Sequence, residues 1–182
     1  MQLSLTQKQA LKTFILANYA GQSDEQIAEA LNQVVSPDYW VLRTSVTKHE
    51  MTDTTGTHTD GSPTAFTWGG ASGGYINRSQ GERDAWRELW NTSLTVNPSL
   101  ANVRTAFDDI FSGAGAGAVG NRNHIKAKIR RLATVIEKVF SVATVGGPIQ
   151  SGVRGSASNP DTMVLANVQV QPIDVRNVMT EE

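Results

Sequence analysis

The strongest constraint on the fold of this chain is a helix-start signal that recurs along it. Ser4-Leu5-Thr6-Gln7, Ser23-Asp24-Glu25-Gln26 and Ser79-Gln80-Gly81-Glu82 each set a serine three residues ahead of a Gln or Glu. At that spacing the serine side chain accepts a first-turn backbone N–H, and the longer side chain reaches back to the serine N–H. Two donors that a helix end otherwise leaves orphaned are satisfied together. Leu11, Phe14 and Ile15 give the first helix an apolar face, and Gly21 ends it. Ile27, Ala28 and Leu31 line the second. Ser36-Pro37 reads as an N-cap with a first-turn proline, which predicts a third helix through Tyr39, Trp40, Leu42 and Val46.

The helical period vanishes between Thr47 and Asn77, a stretch of Thr, Gly and Asp that is too long for an ordinary connection. It is either disordered or a functional loop or hairpin, and Phe66, Trp68 and Tyr75 favour docking on something. Helices resume at Ser79, with Trp86, Leu89 and Trp90 as the apolar stripe. Asn97-Pro98 repeats the cap-plus-proline signal ahead of Leu100, Val103, Phe107, Ile110 and Phe111. Gly113 to Ala118 breaks the chain. The longest helix is then expected from Arg122 to Ser141, with Ile125, Ile129, Leu132, Ile136, Val139 and Phe140 on one face.

After Gly146-Gly147-Pro148 the pattern is irregular. Thr162 to Val170 alternates like a strand, with Val164, Ala166, Val168 and Val170 on one side, and Pro172 opens a short helix around Asp174 to Val178. This tail carries too few apolar residues to fold alone. It must add to a sheet edge, lie on its own body or dock on a neighbour. The expected fold is mainly α: a small helical bundle with a long Gly/Thr-rich loop and an extended C-terminal arm. In sequence order the divisions are N-terminal helices 1–46, loop 47–77, helical core 78–145 and arm 146–182.

Composition narrows the chemistry. The 182 residues suit one domain with appendages. A net charge of -1 supplies no global field for nucleic acid. Charged residues are only 18% of the chain, below the roughly 25% of ordinary soluble domains, which fits a surface partly covered by association. With no cysteine, thiolate catalysis, disulfides and Cys-based metal sites are excluded. No apolar run approaches the roughly 20 residues that span a membrane. Met1-Gln2-Leu3-Ser4 reads as a mature start without a secretion signal.

Several groups invite a catalytic reading and do not sustain it. His49 and His58 share a loop with Glu50, Asp53 and Asp60, but their spacing matches no standard metal pattern. His124 is expected at the surface of the long helix. The runs Gly69–Gly74 and Gly113–Gly120 lack the strand–turn–helix context of a phosphate loop. Asp108 and Asp109 are adjacent, so on a helix they point about 100° apart and cannot act as a pair. Trp86 and Trp90 read as core, and Arg83 and Arg87 as partners for them or for Asp84 and Glu88. Arg122, Lys126 and Arg130 follow i, i+4, i+8 spacing and would share one basic ridge. Such a ridge serves as a solvated face, meets an acidic protein surface or touches nucleic-acid phosphates.

A family resemblance spans most of the chain. Its pieces, in order, are the opening helix Leu11 to Asn18, Val35-Ser36-Pro37-Asp38-Tyr39-Trp40-Val41-Leu42-Arg43-Thr44, and Arg83-Asp84-Ala85-Trp86-Arg87-Glu88-Leu89. Asn97-Pro98-Ser99-Leu100-Ala101-Asn102-Val103-Arg104, Asp109-Ile110-Phe111 and the run Arg131 to Phe140 come next. Ser158-Asn159-Pro160 and Ile173-Asp174-Val175 complete it. In these patterns the chain resembles head-completion proteins of tailed bacteriophages, the head-to-tail adaptors. It departs from the shorter relatives in its loop from Thr47 to Asn77.

The resemblance implies a structural virion protein and no enzyme, cofactor or metal. Such adaptors form a ring, usually twelve-fold, beneath the portal protein, with helical bodies side by side and an extended arm on the portal. The expected partners are the portal protein, a tail or nozzle protein and further copies of the chain, with DNA nearby and no membrane. The expected place is the virion's head–tail junction, and the host cytoplasm before assembly. The residues expected to bind partners are Trp68 and Tyr75 in the loop, Arg122, Lys126 and Arg130 on the ridge, and Val164, Val168, Val170 and Ile173 in the arm. The rival readings are a nucleic-acid-binding accessory protein using residues 122–131 and a small hydrolase using the histidine loop.

Overall fold

A computed structural model describes residues 3–53, 55–140, 155–158, 160–161 and 168–180. Among them are helices α1 (Leu5–Asn18), α2 (Asp24–Asn32), α3 (Lys48–Asp53), α4 (Gln80–Glu88), α5 (Ala101–Ile110), α6 (Ala116–Lys128), α7 (Val135–Val139) and α8 (Pro172–Thr180). Short strands β1 (Trp40–Leu42), β2 (Val46–Thr47), β3 (Gly56–Thr57), β4 (Pro63–Thr64), β5 (Thr95–Val96) and β6 (Arg130–Leu132) form the pairs β1–β6, β2–β5 and β3–β4. With 50% helix and about 11% strand among the described residues, this is a small mixed α/β fold. That corrects the expectation of a mainly α bundle with an extended arm.

Two compact units divide the chain: residues 1–41 with 132–182, and residues 42–131. The first unit groups both ends of the sequence, which a division in sequence order does not express.

In the first unit, Ser4 and Ser23 form the expected capping boxes at α1 and α2. Leu11 and Ile15 of α1 and Ile27, Ala28 and Leu31 of α2 are buried with Ile136, Val139 and Phe140. Val170, Val175 and Val178 complete the same core, at 2%, 0% and 3% exposure. Fully burying such a side chain is worth about 1.5–3 kcal/mol, an upper figure against a real unfolded chain. α8 is therefore an integral helix of this unit and not an arm waiting for a partner. Asn32 fixes the entry to it: its Oδ1 accepts from Val170 N–H at 2.9 Å, and its Nδ2 donates to Val170 O at 2.8 Å. The strand expected from Thr162 to Val170 lies mostly outside the described residues, as do Val164, Ala166, Glu181 and Glu182. Its last three residues, 168–170, are not strand.

The helix expected after Ser36-Pro37 does not form, and that peptide bond is cis. Tyr39-Trp40-Val41 is extended instead. The Trp40 N–H donates to Gly155 O at 2.6 Å, the Asp161 N–H to Trp40 O at 2.9 Å and the Ala133 N–H to Tyr39 O at 2.8 Å. The β-branched and aromatic side chains suit this geometry better than helix. Val35, Val41 and Ala133 form a second small core. Tyr39 Oη donates to Asp161 Oδ2 at 2.6 Å, a second tie beside the backbone bond from Asp161 to Trp40.

The single long helix expected from Arg122 to Ser141 is also corrected. α6 closes at Lys128, Arg130–Leu132 is extended, and Thr134 opens α7 with its own capping box to Glu137. Upstream, Ala116-Gly117-Ala118, read as part of a break, is the first turn of α6.

In the second unit, the predicted loop 47–77 holds real structure: α3, the β3–β4 hairpin and a 3-10 turn at Tyr75–Asn77. Val46 pairs with Val96 and Thr47 with Thr95. Ser79 forms the expected capping box of α4. α5 starts at Ala101 and not at Pro98; the Asn97 side chain accepts instead from Ser99 N–H at 3.0 Å. The core gathers Leu42, Val46, Met51, Phe66, Trp86, Phe107, Ile110, Phe111, Ile125 and Ile129. Trp86 is fully buried, as expected, with Phe111 at 5.5 Å and Trp90 at 5.5 Å between ring centroids. Both contacts are edge-on, the favoured geometry for aromatic quadrupoles.

Candidate docking site

The second unit presents a stiff apolar surface built on one buried amide. Asn121, on α6, is 0% exposed. Its Oδ1 accepts from Thr67 N–H at 2.6 Å and its Nδ2 donates to Thr67 O at 3.1 Å. The side chain thus completes both backbone groups of Thr67 as a neighbouring strand would. Leaving a buried backbone group unmet costs about 1–3 kcal/mol, so this pin fixes where the loop leaves the core.

From that point Phe66 turns inward and Trp68 outward. Phe66 stacks on Trp86 at 5.7 Å. Trp68 remains 45% exposed while its edge meets Phe66 at 4.9 Å and Tyr75 at 5.4 Å. The glycine run between them closes into a tight loop. The Tyr75 N–H donates to Thr67 O at 3.0 Å and the Ile76 N–H to Trp68 O at 2.8 Å, so the two ends are paired. Gly70 and Gly73 sit at φ +80°, where side chains are strained. The Gly117 N–H donates to Ser72 O at 2.7 Å. A Cβ on Gly117 would lie 2.4 Å from Gly74 N, so only glycine permits this helix-on-loop contact. Ile76 is 58% exposed and packs its Cδ1 against Gly69. Arg83 donates to Ile76 O at 3.0 Å and puts a cation at the rim.

The remaining sequence candidates fall elsewhere. Tyr75 is half-buried beside Trp68, so these two expected residues do meet. The basic ridge does not exist as a ridge. Arg122 donates to Phe111 O and, at 2.9 Å, to Gly113 O, capping the end of α5. Lys126 pairs with Asp108 at 3.4 Å. Arg130 lies beyond the helix end, is 7% exposed and donates to Thr57 O at 2.8 Å. In the first unit Val168 is half-buried against the core, and Val170 is inside it and not presented to a partner. Ile173 is 56% exposed on α8. Val164 lies outside the described residues. Sequence reading missed Ile76, although a lone isoleucine beside a Gly/Ser run is a usable signal. It also missed Asn121, which no local pattern marks.

Among the described residues no group of three or more His, Cys, Asp or Glu is placed to hold a metal ion. His49 is exposed on α3. His58 Nδ1 faces Asp60 Oδ1 at 3.1 Å. Two hydrogen bonds from Ser62 and the one to His58 hold the Asp60 carboxyl well below its usual range. His124, expected at the surface, is fully buried because α6 begins earlier and turns that face inward. Arg87 pairs with Asp84 at 2.8 Å, one of the two pairings open to it from sequence. Among the described residues no helix is long and apolar enough to cross a membrane.

The first unit has a concavity of about 620 Å³ lined by Phe14, Tyr19, Val35, Val135 and Val139, with Lys138 at its edge.

Comparison with protein-family models, with characterised proteins and with solved structures finds no match for this chain.

Proposed function

We propose that this chain is a structural assembly protein of a tailed bacteriophage, a head-to-tail adaptor that joins portal and tail as one subunit of a ring. The observation that carries the reading is the Trp68–Ile76 surface. Two large apolar side chains stand exposed on a loop that a buried asparagine and a glycine-only contact hold in place. A rigid exposed tryptophan is a costly feature unless a partner covers it, because aromatic anchors in such positions dominate protein–protein affinity. Rigidity also removes the ordering cost that a floppy loop would pay on binding. The patterns shared with head-completion proteins supply the family context. Because α8 belongs to the first unit's core, this reading gives the docking role to the loop and not to α8. In a ring each such contact is repeated, so modest affinity per subunit is enough.

A nucleic-acid role is the less supported reading, since Arg122 and Arg130 are engaged by backbone carbonyls and Lys126 pairs with Asp108. The test is co-sedimentation with purified portal rings of a tailed phage, with wild type and with Trp68→Ser and Ile76→Ser. Wild type is expected to co-sediment. Each substitution is expected to weaken binding at least tenfold while leaving the folded spectrum unchanged. A wild-type protein that joins neither portal, tail protein nor its own copies at high concentration overturns the proposal.

A further inference from the structure

The β3–β4 hairpin has two residues per strand, too few to hold itself in water. Its moorings are side chains reaching from α6 and from Arg130 at the start of β6. Lys128 Nζ donates to Thr55 O, and Arg130 donates to Thr57 O at 2.8 Å. The third mooring is different in kind: Thr64 Oγ1 lies 3.2 Å from Nδ1 of His124, a ring with no solvent exposure. Around that ring stand Phe66, at 6.4 Å between centroids, and the backbone of Thr64 and Met51, whose hydrogen bonds favour its charged form.

The neighbouring charges offer an imidazolium nothing. On α6 itself Lys128 is a like charge one turn on. On α3, Glu50 is bound by Arg43 at 2.5 Å and by Thr47, while Lys48 and His49 are exposed. On the hairpin, His58 and Asp60 face each other at the tip. On α5, Asp108 is engaged by Lys126 and Asp109 faces solvent. A second proton on His124 would thus meet the Thr64 and Met51 backbone groups but, among the described residues, no carboxylate free to balance its charge at a buried position.

We propose that His124 is a proton-sensitive latch, whose neutral ring clamps the β3–β4 hairpin onto α6 and whose protonation in mild acid releases it. Burial, with Lys128 adding a like charge, outweighs the Thr64 and Met51 backbone hydrogen bonds and holds the clamped imidazole below its ordinary value. A released ring takes its proton near pH 6.5. The clamp is therefore at full strength above that pH and weakens as the pH falls below it, until the clamped ring itself titrates. Since β4 runs directly into Phe66-Thr67-Trp68, release would also loosen the approach to the exposed tryptophan.

Amide hydrogen exchange of the full chain between pH 7 and 5, corrected for intrinsic exchange chemistry, reads the latch at the His58 N–H, which bonds Ser62 O at 2.8 Å. The opening constant is expected to rise by up to about tenfold per pH unit below 6.5. It is expected to stay flat in His124→Gln and to keep the wild-type slope in His58→Gln. A flat wild-type profile, or a slope that survives in His124→Gln or disappears in His58→Gln, overturns the proposal. Should His124→Gln not fold, the ring resonances of His124 in the wild type decide. Titration below the ordinary range in step with lost hairpin protection supports the latch, and protonation near pH 6.5 with protection retained removes it.

Discussion

Asn32 and Asn121 do the same thing in the two units, with opposite results. Each satisfies both the N–H and the C=O of one backbone residue, Val170 in the first unit and Thr67 in the second. The residues downstream of the pinned one decide the outcome. Beyond Val170 the chain enters α8, whose Val175 and Val178 lie one turn apart and sink into the core. Beyond Thr67 come Trp68 and then the Gly69–Gly74 run, with little to bury, so the tryptophan stays outside. A backbone pin therefore sets where a segment leaves the core. The apolar content behind it sets whether the segment is hidden or displayed.

The largest effect expected is on the core under the displayed loop. Trp86→Ala should cost the second unit about 3–5 kcal/mol, read by urea denaturation with exchange mass spectrometry to locate the loss. The loop from 67 to 76 should lose protection along with α4 and α5. If the loop kept its protection, it would not depend on this core.

The two pins come next. Asn121→Ala and Asn32→Ala should each cost about 1–3 kcal/mol, because each leaves backbone groups unmet. Asn121→Ala should raise exchange around Thr67 and lower the fluorescence anisotropy of Trp68. Asn32→Ala should raise exchange across α8 and leave Trp68 alone. Equal responses in both segments would break the comparison.

An acid titration sharpens it at about 1 kcal/mol. Burial raises the Glu50 carboxyl, but hydrogen bonds from the Thr47 backbone, Arg43 and the Thr47 hydroxyl outweigh it and bring the pKa to about 2. The stability it lends the second unit is complete above its ordinary value near 4.5 and is lost as pH falls toward 2. Its side chain is 35% exposed, so solvent screening reduces the effect to about 1 kcal/mol. Glu50→Gln should flatten that part of the pH–stability curve. The smallest effect belongs to Arg176, whose exposed pair with Asp24 at 3.0 Å joins α8 to α2. Arg176→Ala should shift stability by no more than about 0.5 kcal/mol, less in high salt.

Local signals are legible where they are self-contained. The capping boxes at Ser4, Ser23 and Ser79 and the helix opened by Pro172 depend on neighbours in sequence, and each is present. Thr134 to Glu137 carries the same spacing and marks where the expected long helix divides. Distant partners set the features that resist reading. Tyr39 to Val41 is extended because Gly155, Ala133 and Asp161 take its backbone hydrogen bonds. Arg130 leaves the ridge because the hairpin carbonyl of Thr57 claims it. The tail reads as too poor to fold only while its valines are weighed alone, without the faces of α1 and α2 that receive them. In the docking surface Trp68 stands out by its type, whereas Asn121, which holds it, looks like any polar helix residue.

The contact between α6 and the glycine run leaves no space for even one methyl group, whereas Gly61 at the hairpin tip has nothing within 4 Å of where a Cβ would stand. The chain therefore contains its own map of where foreign matter can go. An epitope or dye spliced in at 60–62 should leave the body intact, while the same cargo placed between Gly69 and Gly74 should destroy the surface that Trp68 and Ile76 present.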